Sequence, residues 1–207
     1  MIDPRSRIST YNHPLPQTFA GQALIDDLAS IQAVLFITIA FAFVPGGIVV
    51  FVVREKEAHH NSKHQQMVSG VRIPSYWLSN WVWDIGLYLL PLMLSMLCIR
   101  TVGLKTFNDG GADRACFVLL AGFGWAAGPF TYLASFAFAG HTKAQIFTVL
   151  FNIFLGMGLM IAHYVMSLIE STTEINAMLL PWYRMSPGFC LGHGLWQLSV
   201  QNLVKAY

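Results

Sequence analysis

Four stretches of the chain are apolar almost without interruption, and polar segments of uneven length separate them. Residues 28–53 and 115–140 hold no Asp, Glu, Lys, Arg or His. Between residues 73 and 99 the only charge is Asp84, and between 144 and 169 the only Asp, Glu, Lys, Arg or His is His163. A helix needs roughly 20 apolar residues, at about 1.5 Å of rise each, to cross a bilayer. Each run meets that length, which predicts spans at about 28–53, 76–100, 115–139 and 144–169. Transmembrane β-strands would alternate polar and apolar positions in runs of about ten, whereas these runs are continuous. The expected class is an all-α membrane protein, a polytopic helical bundle in the plasma membrane or an endomembrane.

Composition adds weight. Charged residues make up 11% of the 207, against about 25% in a soluble domain, too few to cover a water-facing surface. The net charge of +2, with no cluster of basic residues among aromatics, gives nucleic acid no footing. Cys98, Cys116 and Cys190 are too few for a disulfide framework. Cys98 and Cys116 fall near the same end of adjacent spans, so a single bridge stays open beside their reading as apolar fillers. No short apolar core with a cleavage site follows Met1, so insertion is expected to rely on the first span.

The polar segments orient the spans. Residues 1–22, with Pro4 and His13-Pro14-Leu15-Pro16, read as a surface segment, the end of a larger domain. Loops 54–73 and 141–143 carry Arg54, Lys56, Lys63, Arg72 and Lys143, against Arg100, Lys105 and Arg114 in loop 100–114. Basic residues favour the cytosolic side, which puts the first two loops inside. Tyr76, Trp77, Trp81 and Trp83 then form an interfacial belt, and Asp84 lies about a turn deeper, with Asn80 one turn before it. An intramembrane carboxylate is a functional-site candidate, and pairing between helices is the competing structural role.

Gly124-Trp125-Ala126-Ala127-Gly128 is a GxxxG motif in the third span, and Asn152 and Gly156 repeat the small-or-polar spacing in the fourth. Small residues let backbones approach where lipid offers no hydrophobic drive. Pro45-Gly46-Gly47 and Pro91 predict kinks. Residues 171–207 contain only short apolar pieces, such as 177–182, and Tyr183-Arg184 interrupts them. They suit a re-entrant or interfacial hairpin of the outer leaflet. His193 has no second ligand at helical spacing, so no metal is expected there.

Between the first two spans, Ser62-Lys63-His64-Gln65 fits a capping box, Gly70 a helix stop and Pro74 a bar to continuation. A short helix near 62–70 follows, either docking into a partner or merely joining two spans.

Here the residues become recognisable. Lys63-His64-Gln65-Gln66-Met67-Val68-Ser69-Gly70-Val71 and Tyr76-Trp77-Leu78-Ser79-Asn80-Trp81-Val82-Trp83-Asp84 resemble the second transmembrane domain of ABC transporters of the A subfamily. Pro187-Gly188-Phe189-Cys190-Leu191-Gly192-His193-Gly194-Leu195 is similar to that family's "P-FCLG-GL" element. Asn12-His13-Pro14-Leu15-Pro16 and Phe43-Val44-Pro45 match its run-in.

The resemblance implies that residues 1–22 end an extracellular domain and that 23–170 form part of a transmembrane domain, its four spans being the second to fifth of six helices. A coupling helix near 62–70 would meet a nucleotide-binding domain through Lys63, Gln66, Met67, Val68 and Arg72. Residues 171–207 would form the outer-leaflet hairpin. The parent would be an ATP-driven lipid transporter whose partners are membrane lipids, the nucleotide-binding domain and the other transmembrane half. No GxxxxGK[ST] phosphate loop or LSGGQ-like signature is present. ATP and Mg would bind domains absent from this chain, which is expected to be a fragment or truncated product without catalytic residues. The alternative is a regulatory module that associates with a complete transporter. An intramembrane enzyme would have to use Asp84 and His163.

Overall fold

The structure, a computed structural model, describes residues 19–57, 61–103, 105–108 and 111–206. Of the expected extracellular run-in, residues 1–22, positions 1–18 lie outside the described residues and 19–22 already belong to the first helix. The helices are α1 (Phe19–Lys56), α2 (Ser62–Val68), α3 (Ile73–Val102), α4 (Lys105–Asn108), α5 (Ala112–Ser135), α6 (His141–Ile153), α7 (Leu159–Leu168), α8 (Glu170–Tyr183) and α9 (Pro187–Ala206). No strand occurs among the described residues.

Among the described residues, four helices are long and apolar enough to cross a membrane: Leu28–Lys56, Ile73–Val102, Ala112–Ser135 and His141–Leu168. The last is α6 and α7 joined by a π-helical turn at Phe154–Gly158. Helix and hydrophobic run do not end together. The α3 helix starts ahead of the aromatic belt, with Pro74 in its first turn, where a missing N–H leaves no bond unmade. The α5 helix stops at Ser135, although the sequence stays apolar to Ala139. Apolar composition marks where lipid can lie, but carries no signal for where backbone hydrogen bonding stops. Both predicted kink sites lie inside continuous helices, Pro45 in α1 and Pro91 in α3.

The α1 helix is the central post, packed against α5, α6 and α9. Phe41 of α1 meets Tyr88 of α3 and Phe123 of α5 edge-on, at centroid distances of 5.9 and 5.8 Å, a geometry aromatic quadrupoles favour. By contrast α3 lies at the edge and leaves most of its surface open, Leu87, Leu90 and Leu94 included.

The small-residue motifs set the closest approaches. Gly124 sits against the Tyr88 ring with no room for a Cβ, and a Cβ on Gly128 would lie 3.0 Å from Trp81 Cδ1. The GxxxG face of α5 is therefore the seat of α3. Tyr88 completes the joint by donating its hydroxyl proton to the Leu120 carbonyl at 2.6 Å.

The tail differs from its sequence reading in extent. The short piece expected at 177–182 belongs to the 14-residue helix α8, and α9 runs for 20 residues. The break falls at Arg184–Ser186, where the Ser186 hydroxyl accepts the Phe189 N–H at 3.4 Å and Pro187 opens α9.

Candidate functional site

One end of the bundle gathers α1, α2, α3, α5 and α6, and its polar residues are tied together. The last turn of α1 supplies Glu55 and Lys56, and Glu57 follows directly after it. Glu55 Oε2 accepts the Tyr76 hydroxyl at 2.5 Å. Lys56 donates to the Ser135 carbonyl at 2.6 Å, at the end of α5. Glu57 Oε1 accepts the His141 backbone N–H at 2.8 Å and lies 2.6 Å from His141 Nδ1. Three charged residues of one helix end thus fasten three other helices.

The α2 helix lies across this rim. Its expected capping box does not form. The N-cap is Asn61, in the left-handed region at φ +44° and with no side-chain cap, and Ser62 is already helical. The Ser62 hydroxyl instead reaches back toward the Glu55 carbonyl at 3.5 Å. Ser62, which the box needs as an extended N-cap, is instead inside the helix, and Asn61 at the cap is left-handed. The C-terminus follows the glycine signal. Gly70, at φ +97°, donates to the Met67 carbonyl at 3.2 Å and Val71 to the Gln66 carbonyl at 3.1 Å, a Schellman pair.

Exposure divides α2 into two faces. Lys63, Gln66 and Met67 are half-buried toward the bundle, whereas His64, Gln65 and Val68 point away, Val68 with 75% of its surface exposed. Arg72 is exposed at the N-cap of α3. The outward pair His64 and Gln65 was missed by sequence reasoning, because only a resolved helix phase separates them from their neighbours.

Lys63 turns inward. Its Nζ stands 4.1 Å from the ring centre of Trp77, 4.9 Å from Tyr76 and 5.4 Å from Phe136. Partial burial, with a smaller push from Lys56, lowers the Lys63 pKa from its ordinary value, while Glu55 acts the other way. The ring faces return some of the lost hydration as cation–π attraction.

Asn80 and Asp84 lie two and three turns along α3. The Tyr132 hydroxyl of α5 donates to Asp84, while the buried Asn80 Nδ2 lies beside the Tyr76 hydroxyl. Asp84 also borders a cleft of about 330 Å³ between α1 and α3, lined by Gly47, Phe51, Trp83 and Leu87 among others. A carboxylate bonded on one side and facing an apolar cleft on the other can hold two helices together or meet a polar group entering between them.

His163 stands elsewhere. Its Nδ1 lies 2.9 Å from Asn176 Oδ1 of α8, and its ring centre 4.9 Å from that of His193 in α9. Asp84 and His163 thus engage separate partners. The two histidines converge through packing, which spacing along one helix could not reveal. No group of three or more metal-ligating side chains occurs among the described residues. Cys98, Cys116 and Cys190 are free thiols, so the conceivable bridge is not formed.

Four apolar spans, a short helix across one end and two further helices after the fourth span make up an all-α membrane domain. The chain belongs to the ABC-2 transporter family, since a profile of ABC-2 family transporter proteins matches residues 5–205. It is similar to the rat ATP-binding cassette sub-family A member 2, with 32% identity over 97% of this chain and 8% of that protein. It is 34% identical to the bovine retinal-specific phospholipid-transporting ATPase ABCA4, over 84% of the chain and 8% of the relative. The human phospholipid-transporting ATPase ABCA7 matches at 28% identity, over 91% and 9%. The chain spans about a tenth of the length of these relatives.

Proposed function

We propose that this chain is part of the membrane domain of an ATP-driven lipid transporter, with α2 as its coupling helix and the α1–α3 cleft beside its pathway. The observation that carries the reading is the division of α2, one face held by the bundle and the other open for a partner. A seven-residue helix is marginal by itself in water, so its order comes from the bundle and its outer face is free to serve a nucleotide-binding domain. His64, Gln65 and Val68 make that contact, with Arg72 at its edge and Gln66 and Met67 at its base. The relatives' sub-family and their phospholipid-transporting names support ATP as energy source and lipids as cargo. Residues 171–206 serve as the outer-leaflet hairpin, their two helices folding back beside the end of the fourth span.

The test is Val68→Asp in the complete transporter containing this chain, reconstituted in phosphatidylcholine vesicles. A carboxylate at the centre of the outer face should lower lipid moved per ATP hydrolysed by roughly tenfold or more, the effect of an unpaired charge in an interface. An unchanged ratio would sink the assignment.

A further inference from the structure

The coupling reading leaves open how a push on α2 would reach the interior of the membrane. None of the α2 residues is fully buried. Its polar and ring contacts with the other helices, among the described residues, run through Ser62 at 3.5 Å and through Lys63.

From Lys63 the contacts continue inward without a gap. Trp77, which receives the ammonium at 4.1 Å, packs on the Tyr132 ring at a centroid distance of 5.1 Å. The Tyr132 hydroxyl donates to Asp84, which borders the α1–α3 cleft. Three side chains, one each from α2, α3 and α5, thus join the rim to the Asp84 carboxylate, about a third of the way along α3. Each link is directional: a cation over a ring face, two rings in contact, a hydroxyl on a carboxylate.

We propose that Lys63 is a positioning residue and that Lys63–Trp77–Tyr132–Asp84 is the relay by which α2 controls the α1–α3 cleft. This rests on α2 being the coupling helix. When a partner displaces α2, the seated ammonium carries Trp77 with it. The shift reaches Tyr132 and changes its hold on Asp84, and so the separation of α3 from α1. Spatial continuity suggests such a path, and only measured coupling establishes one.

A double-mutant cycle in the complete transporter tests it, in phosphatidylcholine vesicles, reading lipid moved per ATP for variants that elute as the folded transporter. Lys63→Met keeps the stem and removes the cation, and Tyr132→Phe keeps the ring and removes the hydroxyl. Each is expected to lower the ratio by roughly three- to tenfold. Lys63→Arg, still a cation that stacks on rings, is expected to restore most of the loss. The double variant should be no worse than the weaker single one by more than about twofold, because both cut one path.

Additive losses in the double variant, a wild-type ratio in Lys63→Met, or no recovery in Lys63→Arg would each overturn the relay. Lys63→Gln replaces Lys63→Met in the same cycle if the latter does not fold. Val68→Asp separates the two failures. If it uncouples while Lys63→Met does not, the relay alone is wrong. If it leaves the ratio unchanged, the coupling reading falls with it.

Discussion

Gly188 of α9 lies backbone to backbone against Gly156 in the π turn of the fourth span. A Cβ on Gly188 would stand 3.3 Å from the Gly156 Cα and 3.4 Å from its nitrogen. One turn on, a Cβ at Gly192 would meet the Gly156 carbonyl oxygen at 3.2 Å. Where lipid replaces water, such contact is a main source of helix association, and it joins the burial of Leu191 and Leu195 in holding the tail helix to the spans.

Replacing Gly188 by Val should therefore destabilise the fold by about 1–3 kcal/mol, the usual cost of overpacking. Backbone atoms cannot swing aside as a flexible side chain could. Gly86→Ala is the control, since a Cβ there meets nothing within 4 Å. Thermal unfolding in detergent should show a lowered midpoint for the first variant and an unchanged or raised one for the second.

The α3–α5 joint makes a parallel prediction. Gly124→Ala would drive a methyl group into the Tyr88 ring and pull its hydroxyl off the Leu120 carbonyl. The expected loss is about 2–4 kcal/mol, one overpacked site plus the buried Tyr88 hydroxyl left without its acceptor. Gly122→Ala, facing open space two residues earlier, should cost almost nothing. Equal losses in the two variants would contradict the assigned face of α5.

His193 makes the tail sensitive to acid. Burial first, then the nearby His163 and Arg184, lower its pKa from 6.5. Above pH 6.5 the ring is neutral in both folded and unfolded chains, and nothing is lost. As pH falls below 6.5 the unfolded chain binds the proton more readily, so folding stability declines until the lowered pKa is passed. Protection of the α9 amides, taken relative to their intrinsic exchange rate at each pH, should fall between pH 7.5 and pH 5. His193→Phe, which keeps the ring packing on Phe189, should flatten that dependence.

Much of this was legible from local pattern. Continuous apolar runs named the four spans, and Gly70 marked the end of α2, because hydrophobicity and left-handed backbone are properties of single positions. The same locality explains the misses. The Ser62–Gln65 capping box matched in residue type and spacing, yet the helix begins one residue earlier, with Asn61 at the cap. Residues 177–182 suggested a short piece, because the polar residues Glu170 to Asn176 gave no sign that α8 includes them.

The sequence by itself determined that this chain crosses a membrane four times, carries a short helix between its first two spans, and belongs with the ABC-2 transporters. Those facts rest on run length, turn residues and ordered motifs, all read along the chain. Only the tertiary structure decided that Lys63 points inward onto Trp77, that Asp84 is held by Tyr132, and that the GxxxG face receives α3. These pairings join residues tens of positions apart, and they depend on the rotation of each helix about its axis. That rotation is settled by which side chains and glycines interlock when all the helices pack at once.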